Sequence, residues 1–191
     1  MTDVISFRMT RIFAIGHSTR PIEDFDDLLR EFNVRARVGI RRYPSSRKFP
    51  HFNSDTLREH LSKVDVAYMW LEALGGRRHG SAKNLSPNIL LRSAEFRSCA
   101  DHMLTEEFSM AIRELVSVAS GSRTAIMCAE KLYWRCHRML ISDFLVAQSV
   151  RVEHILGSGD LRVHELTKGS VITEERKVIY PSPPGEPKPA A

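Results

Sequence analysis

The sequence predicts an α/β domain in which a mostly parallel central sheet carries helices on both faces. Short apolar runs typical of buried strands alternate along the chain with segments whose apolar residues recur at helical spacing. Such alternation is typical of parallel strands joined by helical crossovers. With 191 residues and 42% hydrophobic content, the chain can bury one core of ordinary size. We therefore expect a single compact domain over residues 1–166.

The first strand and helix are predicted from the segments at 11–15 and 21–32. RIFAI is a short apolar run, which indicates a buried strand. The next segment begins with Pro21, which suits a first helical position, and it places apolar side chains at helical spacing: Phe25, Leu28, Leu29 and Phe32. A second strand is expected at 37–41, and a second helix at 54–63.

The later elements continue the alternation. A third strand is predicted at 66–71, followed by two helices, at 92–104 and 108–119, the second behind a Thr105 cap. A fourth strand is expected at 123–127. A helix at about 135–148 and a last strand at 150–156 complete the predicted sheet.

Two segments depart from this pattern. Residues 75–91 are too long and too rich in Gly, Ser, Asn and Arg for an ordinary connection, so we interpret them as a binding loop, with a lid or a disordered segment as alternatives. Residues 167–191 end in YPSPPGEPKPAA, which cannot bury enough apolar surface to offset its ordering entropy. We expect an extended, flexible tail there.

The composition argues against two classes of protein. No apolar run approaches the roughly 20 residues of a membrane-spanning helix, and no signal peptide is visible. Three cysteines without a CxxC pair argue against a secreted disulfide scaffold, so we expect reduced thiols. The sequence therefore predicts a cytoplasmic protein with no membrane contact.

A cationic segment favours a polyanionic partner. Residues 35–48 contain no acid and six cationic residues: Arg35, Arg37, Arg41, Arg42, Arg47 and Lys48. Such a cluster suits nucleic acid. A solvated basic face is the equally good alternative.

Three polar loops follow predicted strands. They are GHSTR at 16–20, RRYPSSRKFPHFN at 41–53, and the stretch from Cys128 to Arg138. Because ligands bind at the carboxyl ends of parallel strands, we expect these loops to meet. The first turn of the last helix, with Arg135 and Arg138 nearby, is a plausible pocket for phosphate or a developing anion.

Each polar residue also has a structural interpretation. Cys128 fits a small buried hydrophobe, whereas Cys136 beside two arginines would have a lowered thiol pKa. Glu130 fits a salt-bridge partner, and His17 a cap. A zinc site would need Cys128, Cys136, His137 and His17, but the eight-residue separation of the cysteines is unlike usual zinc spacings. We therefore predict no metal and no cofactor.

Four blocks of the sequence resemble one known family, catalogued as domain of unknown function 488. They are IGHSTR, RRYPSSRKFPHFN, LEALGGRR, and CAE followed by RCHR, and the resemblance runs from about Ile12 to Leu166. It implies a compact α/β fold. Some members are associated with removal of oxidised pyrimidines from DNA, notably 5-hydroxymethyluracil, which implies DNA as the partner.

Gly39 departs from the family pattern. The family usually reads Val-Asp-Val-Arg-Arg where this chain has VGIRR, so glycine replaces an expected acid. We hypothesise that Gly39 makes room for a bulky or hydroxylated base substituent. The alternative is that glycine relieves a crowded strand end.

These observations together predict a DNA glycosylase that flips out a modified pyrimidine and cleaves its N-glycosidic bond. We expect Glu130, His17 and Arg41 to be catalytic, and Phe49, Phe52 or Tyr43 to stack on the flipped base. Base or phosphate contacts are expected from Ser18, Gly39, Arg42, Ser46, Arg47, Phe52, Arg77, Cys128, Arg135, Cys136, His137 and Arg138. A desolvated Lys131 would add lyase activity through a Schiff base.

Two alternatives stay open. A thiol enzyme of rhodanese or phosphatase type would use Cys128, but AEKLYW supplies no glycine for an anion-cradling loop. A nucleic-acid-binding module without catalysis needs only the basic segments and predicts steep salt dependence without product formation.

Overall fold

The computed structural model describes residues 10–78 and 86–182, and six strands form its central sheet. The sheet order is β3-β2-β4-β1-β5-β6, and every pairing is parallel except that of the last two strands. The strands are β1 (Arg11–Gly16), β2 (Ala36–Gly39), β3 (Ala67–Trp70), β4 (Thr124–Cys128), β5 (Arg151–Gly157) and β6 (Asp160–Val163).

Five helices cover the two faces of the sheet. They are α1 (Ile22–Glu31), α2 (Ser54–Ser62), α3 (Ala94–His102), α4 (Glu106–Gly121) and α5 (Arg138–Ala147). Successive side chains of a strand point to opposite faces, so β1 contributes to two cores. Ile12 packs with residues of α3, α4 and α5, whereas Phe13 packs with residues of α1 and α2. The predicted mostly parallel α/β domain with helices on both faces is confirmed.

Most element bounds lie within a few residues of the predicted ones. The predicted cap of α4 is present, because the Thr105 hydroxyl accepts a hydrogen bond from the backbone N–H of Phe108 at 3.3 Å. Ser93 caps α3 in the same way, so that helix begins two residues later than the expected start at 92. The types of these predicted elements are therefore correct, and their ends differ from the prediction by a few residues.

The parallel register brings the carboxyl ends of four neighbouring strands to one edge. Gly16 lies opposite Cys128, and Gly39 lies opposite both Met127 and Trp70. The loops that follow these strands, at 17–21, 40–53, 71–78 and 129–137, are called the rim below. The rim carries every predicted polar loop, although residues 79–85 of the expected 75–91 binding loop lie outside the described residues.

The carboxyl-terminal part of the chain differs from the prediction. The strand at 151–157 is not the last, because it turns through Gly159 into β6. An extended tail was expected at 167–191, but residues 167–182 include the short pair β7 (Val171–Ile172) and β8 (Val178–Ile179). Residues 183–191 of that expected tail lie outside the described residues. Packing continues through Tyr180, which is fully buried and donates a hydrogen bond to the Asp143 carboxylate at 2.7 Å.

None of the helices in the described ranges has the length and apolarity needed to cross a membrane.

Candidate functional site

His17 and Arg41 meet at the centre of the rim. The backbone N–H of His17 donates to the carbonyl of Cys128 at 3.0 Å, which ties the end of β1 to the end of β4. Arg41 approaches the His17 Nε2 atom at 3.5 Å and also donates to the carbonyl of Phe52. The Phe52 ring stacks on the imidazole with centroids 4.2 Å apart. The two predicted catalytic residues are therefore neighbours.

His17 is buried, and its environment keeps the imidazole neutral. Burial lowers its pKa to about 3, and the nearby Arg41 and Arg37 guanidinium groups lower it further, against a raising contribution from the Ser18 carbonyl. That carbonyl lies 2.9 Å from Nδ1, so the proton sits on Nδ1 and the Nε2 lone pair faces Arg41. Neutral His17 thus positions Arg41 and lacks the second, acidic proton that an imidazolium would give in general-acid catalysis near neutral pH.

Glu130 lies at the same edge, directly beside the end of β1. Its backbone carbonyl packs against Gly16 and accepts a hydrogen bond from the Arg138 guanidinium. Its side chain is exposed, and the Oε1 atom accepts a weak bond from the N–H of Leu132 at 3.3 Å. The carboxylate is therefore held in the loop after β4 and open to solvent. His17, Arg41 and Glu130 share one edge of the sheet.

Burial divides the predicted cationic residues into two groups. Arg138 is fully buried and bonds the carbonyls of Glu130 and Lys131, so its expected role in phosphate binding is wrong and it anchors the loop instead. Arg37 is also fully buried, between the rings of Phe25 and Tyr68, and burial lowers its pKa to about 9.

Other cations remain accessible at the rim. Arg47, Arg77 and Arg135 are exposed, and Arg42 is half-buried. Arg35, in contrast, lies at the opposite end of β2 and faces Asp65 at 3.8 Å. Of the cations in the basic segment at 35–48, only those from Arg41 onward therefore lie at the rim.

Two rim residues adopt the left-handed backbone conformation, which is uncommon for residues other than glycine. Ser18 has a φ of 53° and Arg77 a φ of 55°. Such conformations cluster at functional sites, where the surrounding structure enforces them. Ser18 is fixed by a 2.8 Å bond from its N–H to the carbonyl of Ala129, and it is half-buried beside His17. Ser46 is also half-buried, and its hydroxyl accepts from the N–H of Phe49 at 3.1 Å.

The aromatic side chains at the rim differ in exposure. Phe52 is fully buried between His17 and Phe25, so its expected stacking on a base is wrong. Tyr43 is 55% exposed and Trp134 is 43% exposed. Trp134 was not predicted as a site residue, because an aromatic residue in a loop before a helix is as often part of the core as it is part of a binding surface. Its neighbours Lys131 and Arg135 were the available signal.

Gly39 does not open a cavity. A Cβ atom at this position would lie 2.7 Å from the hydroxyl oxygen of Tyr68. The room expected for a base substituent is therefore taken by Tyr68, whose hydroxyl also accepts from Ser54 at 3.2 Å. The alternative interpretation, that glycine relieves a crowded strand end, agrees with this packing.

Cys128, Cys136 and His137 form a compact group beneath the rim. Their Sγ, Sγ and ring nitrogen atoms lie within 4.8 Å of one another. The hydrogen bond from the Cys128 thiol lowers the pKa of Cys136, and the same bond together with burial raises the pKa of Cys128. Both ring nitrogens of His137 contact protein atoms, because Nε2 lies 2.9 Å from the Ile40 carbonyl and Nδ1 faces the sulfurs. These groups are therefore turned inward, away from a bound base.

A cavity of about 300 Å³ lies at the opposite edge of the sheet, among Asp26, Asn33, Arg35 and Val66. It contains none of the residues predicted for the site. We place the functional site at the rim in spite of this cavity, because the rim gathers the exposed Glu130 carboxylate and the exposed cations.

Comparison with known proteins gives one match. A family model described as "Domain of unknown function DUF488" matches residues 21–145. Among curated proteins and solved structures, nothing matches the chain.

Proposed function

Since the chain belongs to the family described as Domain of unknown function DUF488, whose description names no activity, we propose a function from the rim itself. The protein binds DNA through its rim loops and hydrolyses the N-glycosidic bond of a modified pyrimidine. The observation that carries this proposal is a solvent-open carboxylate, Glu130, surrounded by cationic loops at one edge of the sheet.

The charge of the rim supports DNA as the partner. The loops at 40–49, 71–78 and 129–137 carry only two acids, Glu72 and Glu130. Their cationic residues number eight: Arg41, Arg42, Arg47, Lys48, Arg77, Arg78, Lys131 and Arg135. Exposed arginine and lysine side chains bind backbone phosphates and release counterions. The loops follow three neighbouring strands, so their cations can track a phosphate backbone across the edge.

The exposed aromatic side chains supply the second element of the proposal. A glycosylase must remove its target nucleotide from the stack, because the bond to be cleaved is hidden in duplex DNA. Tyr43 and Trp134 stand on two of the cationic loops, where they can stack on the flipped base or fill the gap that it leaves. Without such side chains, a basic surface would bind duplex DNA but offer nothing to hold it open.

Glu130 carries the chemistry in this proposal. As the bond between C1′ and the base breaks, positive charge develops on the sugar, and a nearby carboxylate stabilises it. Water then adds to C1′ and gives up a proton, while the base leaves as an anion that is protonated on release. In this proposal the Arg41 guanidinium, held by His17 and the Phe52 carbonyl, stabilises the departing base.

The thiol alternative receives less support from the geometry. Cys128 and Cys136 are 8% and 5% exposed, and a nucleophile must reach its substrate. The loop after Cys128 contains no glycine, and it carries the Glu130 carboxylate where an anionic substrate would bind.

The test is single-turnover cleavage of labelled duplex oligonucleotides that contain 5-hydroxymethyluracil, uracil or thymine. Base removal leaves an abasic site that breaks only after alkali, whereas lyase activity through Lys131 breaks the strand without alkali. We expect alkali-dependent breaks at 5-hydroxymethyluracil, which is chosen because of the family resemblance. Binding without breaks at any base would contradict the proposal and favour a non-catalytic module.

A pair of matched variants assigns the carboxylate. Glu130→Gln keeps the size of the side chain and removes its charge, so we expect cleavage to fall about 100- to 1000-fold. Glu114→Gln makes the same change on an exposed position of α4, away from the rim. It should cleave at the wild-type rate. Equal rates for the two variants would exclude Glu130 as the stabilising group.

A further inference from the structure

In the group formed by Cys128, Cys136 and His137, both sulfur atoms lie near the same ring nitrogen. The His137 Nδ1 atom lies 3.6 Å from the Cys136 sulfur and 3.9 Å from the Cys128 sulfur. One ring nitrogen thus faces two sulfur atoms at nearly equal distances.

These distances match those around a tetrahedral zinc ion. Zinc binds sulfur at about 2.3 Å and imidazole nitrogen at about 2.0–2.1 Å, and tetrahedral angles then place a sulfur and a nitrogen ligand about 3.6 Å apart. The two observed separations differ from that value by 0.3 Å or less.

The imidazole is already oriented as a metal ligand. Its Nε2 atom lies 2.9 Å from the carbonyl oxygen of Ile40, to which it can only donate, so the proton sits on Nε2 and the Nδ1 lone pair faces the sulfurs. Metal-binding histidines almost always donate their other ring N–H to such an outer acceptor. The backbone N–H of Arg138 also points at the Cys136 sulfur, at 3.5 Å.

The chain keeps the space beside this imidazole clear. Gly76 is buried against the ring, and a Cβ atom there would lie 2.8 Å from Nδ1 and 2.9 Å from Cγ. Any side chain at this position would push His137 out of its orientation. The absence of a side chain at position 76 is therefore needed for the arrangement of the three groups.

We propose that Cys128, Cys136 and His137 bind a single zinc ion, with a fourth position left for water or another small ligand. The ion joins the end of β4 to the start of α5, and through the Ile40 carbonyl it is linked to the end of β2. It therefore fixes the loop at 129–137, which carries Glu130. In the sequence, the eight-residue separation of the two cysteines argued against zinc. In the fold, the loop at 129–137 bridges this separation and brings the two cysteines together.

Cobalt substitution tests the proposal directly. The full-length protein, reduced and stripped of metal with a chelator, is titrated with Co²⁺. Thiolate ligation in a tetrahedral site gives charge-transfer absorption in the near ultraviolet and intense visible bands. We expect saturation at one Co²⁺ per chain and loss of these bands when Zn²⁺ is added. Absence of the bands would overturn the proposal.

Variants separate ligation from general thiol chemistry. Cys136→Ala removes a ligand, and Cys99→Ala removes the buried thiol of α3, which is outside the group. Loss of an outer hydrogen bond costs about 10- to 100-fold in metal affinity, so loss of a ligand should cost more than 100-fold. Cys99→Ala should bind normally. Equal affinities for the two variants would place the ion elsewhere.

Thermal unfolding gives a readout that does not depend on spectroscopy or on DNA cleavage. Free Zn²⁺ at 100 times its Kd should raise the Tm of the wild-type protein by about 5 to 10 °C. Gly76→Ala, which leaves all three ligands in place, should abolish most of that shift. A wild-type Tm that does not respond to Zn²⁺ would contradict the proposal, whatever the result of the glycosylase assay.

Discussion

Replacing Gly16 by alanine tests whether the Glu130 loop is held against the end of β1. A Cβ atom at Gly16 would overlap the carbonyl oxygen of Glu130 and lie 2.7 Å from the carbonyl carbon and 2.9 Å from a guanidinium nitrogen of Arg138. Ordinary contact begins near 3.4 Å, and the carbonyl oxygen lies closer to the added Cβ than the carbonyl carbon does, so the Glu130 peptide would have to retreat by more than 0.7 Å. Backbone atoms on one side and a buried guanidinium on the other leave no inexpensive direction for this movement.

The energetic cost of Gly16→Ala has two parts. Overpacking costs about 1–3 kcal/mol, and disturbing the charged hydrogen bond from Arg138 to the Glu130 carbonyl costs about 1.5–3 kcal/mol if that bond is lost. We therefore expect a loss of about 3 kcal/mol in the free energy of unfolding, which lowers the Tm by roughly 6–12 °C for a domain of this size.

Gly121→Ala is the matched control for this substitution. Gly121 ends α4 with nothing within 4 Å of an added Cβ, so alanine should be neutral or stabilising by up to about 1 kcal/mol. Circular dichroism during thermal and urea unfolding measures both variants. If Gly16→Ala unfolds within 2 °C of the wild-type protein, the Glu130 loop does not pack against β1 as described and the geometry assigned to the rim is wrong.

Three further predictions concern the packing around the rim and the carboxyl-terminal segment. Gly39→Ala should destabilise the fold because its Cβ would meet the Tyr68 hydroxyl at 2.7 Å. Tyr68→Phe should relieve this clash, with a coupling energy of about 1 kcal/mol in a double-mutant cycle measured by urea unfolding. Additive effects of the two substitutions would contradict the contact between Gly39 and Tyr68. Tyr180→Phe leaves the buried carboxylate of Asp143 without its 2.7 Å donor, so we expect a loss of about 1.5–3 kcal/mol, whereas a loss under 0.5 kcal/mol would show that the segment after residue 167 is not packed. Burial lowers the pKa of His154 from 6.5 to about 2, so its contribution to the free energy of unfolding is present above pH 6.5 and falls by about 2 kcal/mol between pH 7.5 and 5, where the unfolded chain takes up the proton. In His154→Gln the free energy of unfolding should therefore fall by about 2 kcal/mol less over that pH range. Equal losses in the variant and the wild-type protein would exclude a buried, neutral His154.

Local periodicity was enough to predict five of the six strands of the sheet and its five helices. The apolar run of β1 and the helical spacing of Phe25, Leu28 and Leu29 reflect burial on both sides of a parallel sheet, which is a property of neighbouring residues. The rim followed from the same pattern, because parallel strands end at one edge. His17 and Arg41 were therefore expected to meet, and they do.

The burial of individual polar side chains was harder to predict. Arg37 and Arg41 belong to the same basic segment, yet Arg37 points into the layer beneath α1 and α2 while Arg41 follows the strand and reaches the rim. Phe52 was expected to meet a base, but His17 and Phe25 cover its ring. Such outcomes depend on which distant segment packs above each residue.

The carboxyl-terminal segment was missed for a related reason. Its composition predicts flexibility, but the fully buried Tyr180 finds a partner in Asp143, thirty-seven residues earlier in the chain. His164 donates to the other oxygen of the same carboxylate at 2.9 Å. A single buried acid thus holds two later segments, and composition gives no signal for a contact of this kind.

Direct detection of the released base tests the central claim, that the rim cleaves a modified pyrimidine from DNA with Glu130 as the stabilising carboxylate. Mass spectrometry of the small-molecule fraction, after incubation with a 5-hydroxymethyluracil duplex, should show the free base from the wild-type protein and from Glu114→Gln, and almost none from Glu130→Gln. If the wild-type protein binds the duplex and no free base is found, or if Glu130→Gln releases it at the wild-type rate, the account is contradicted.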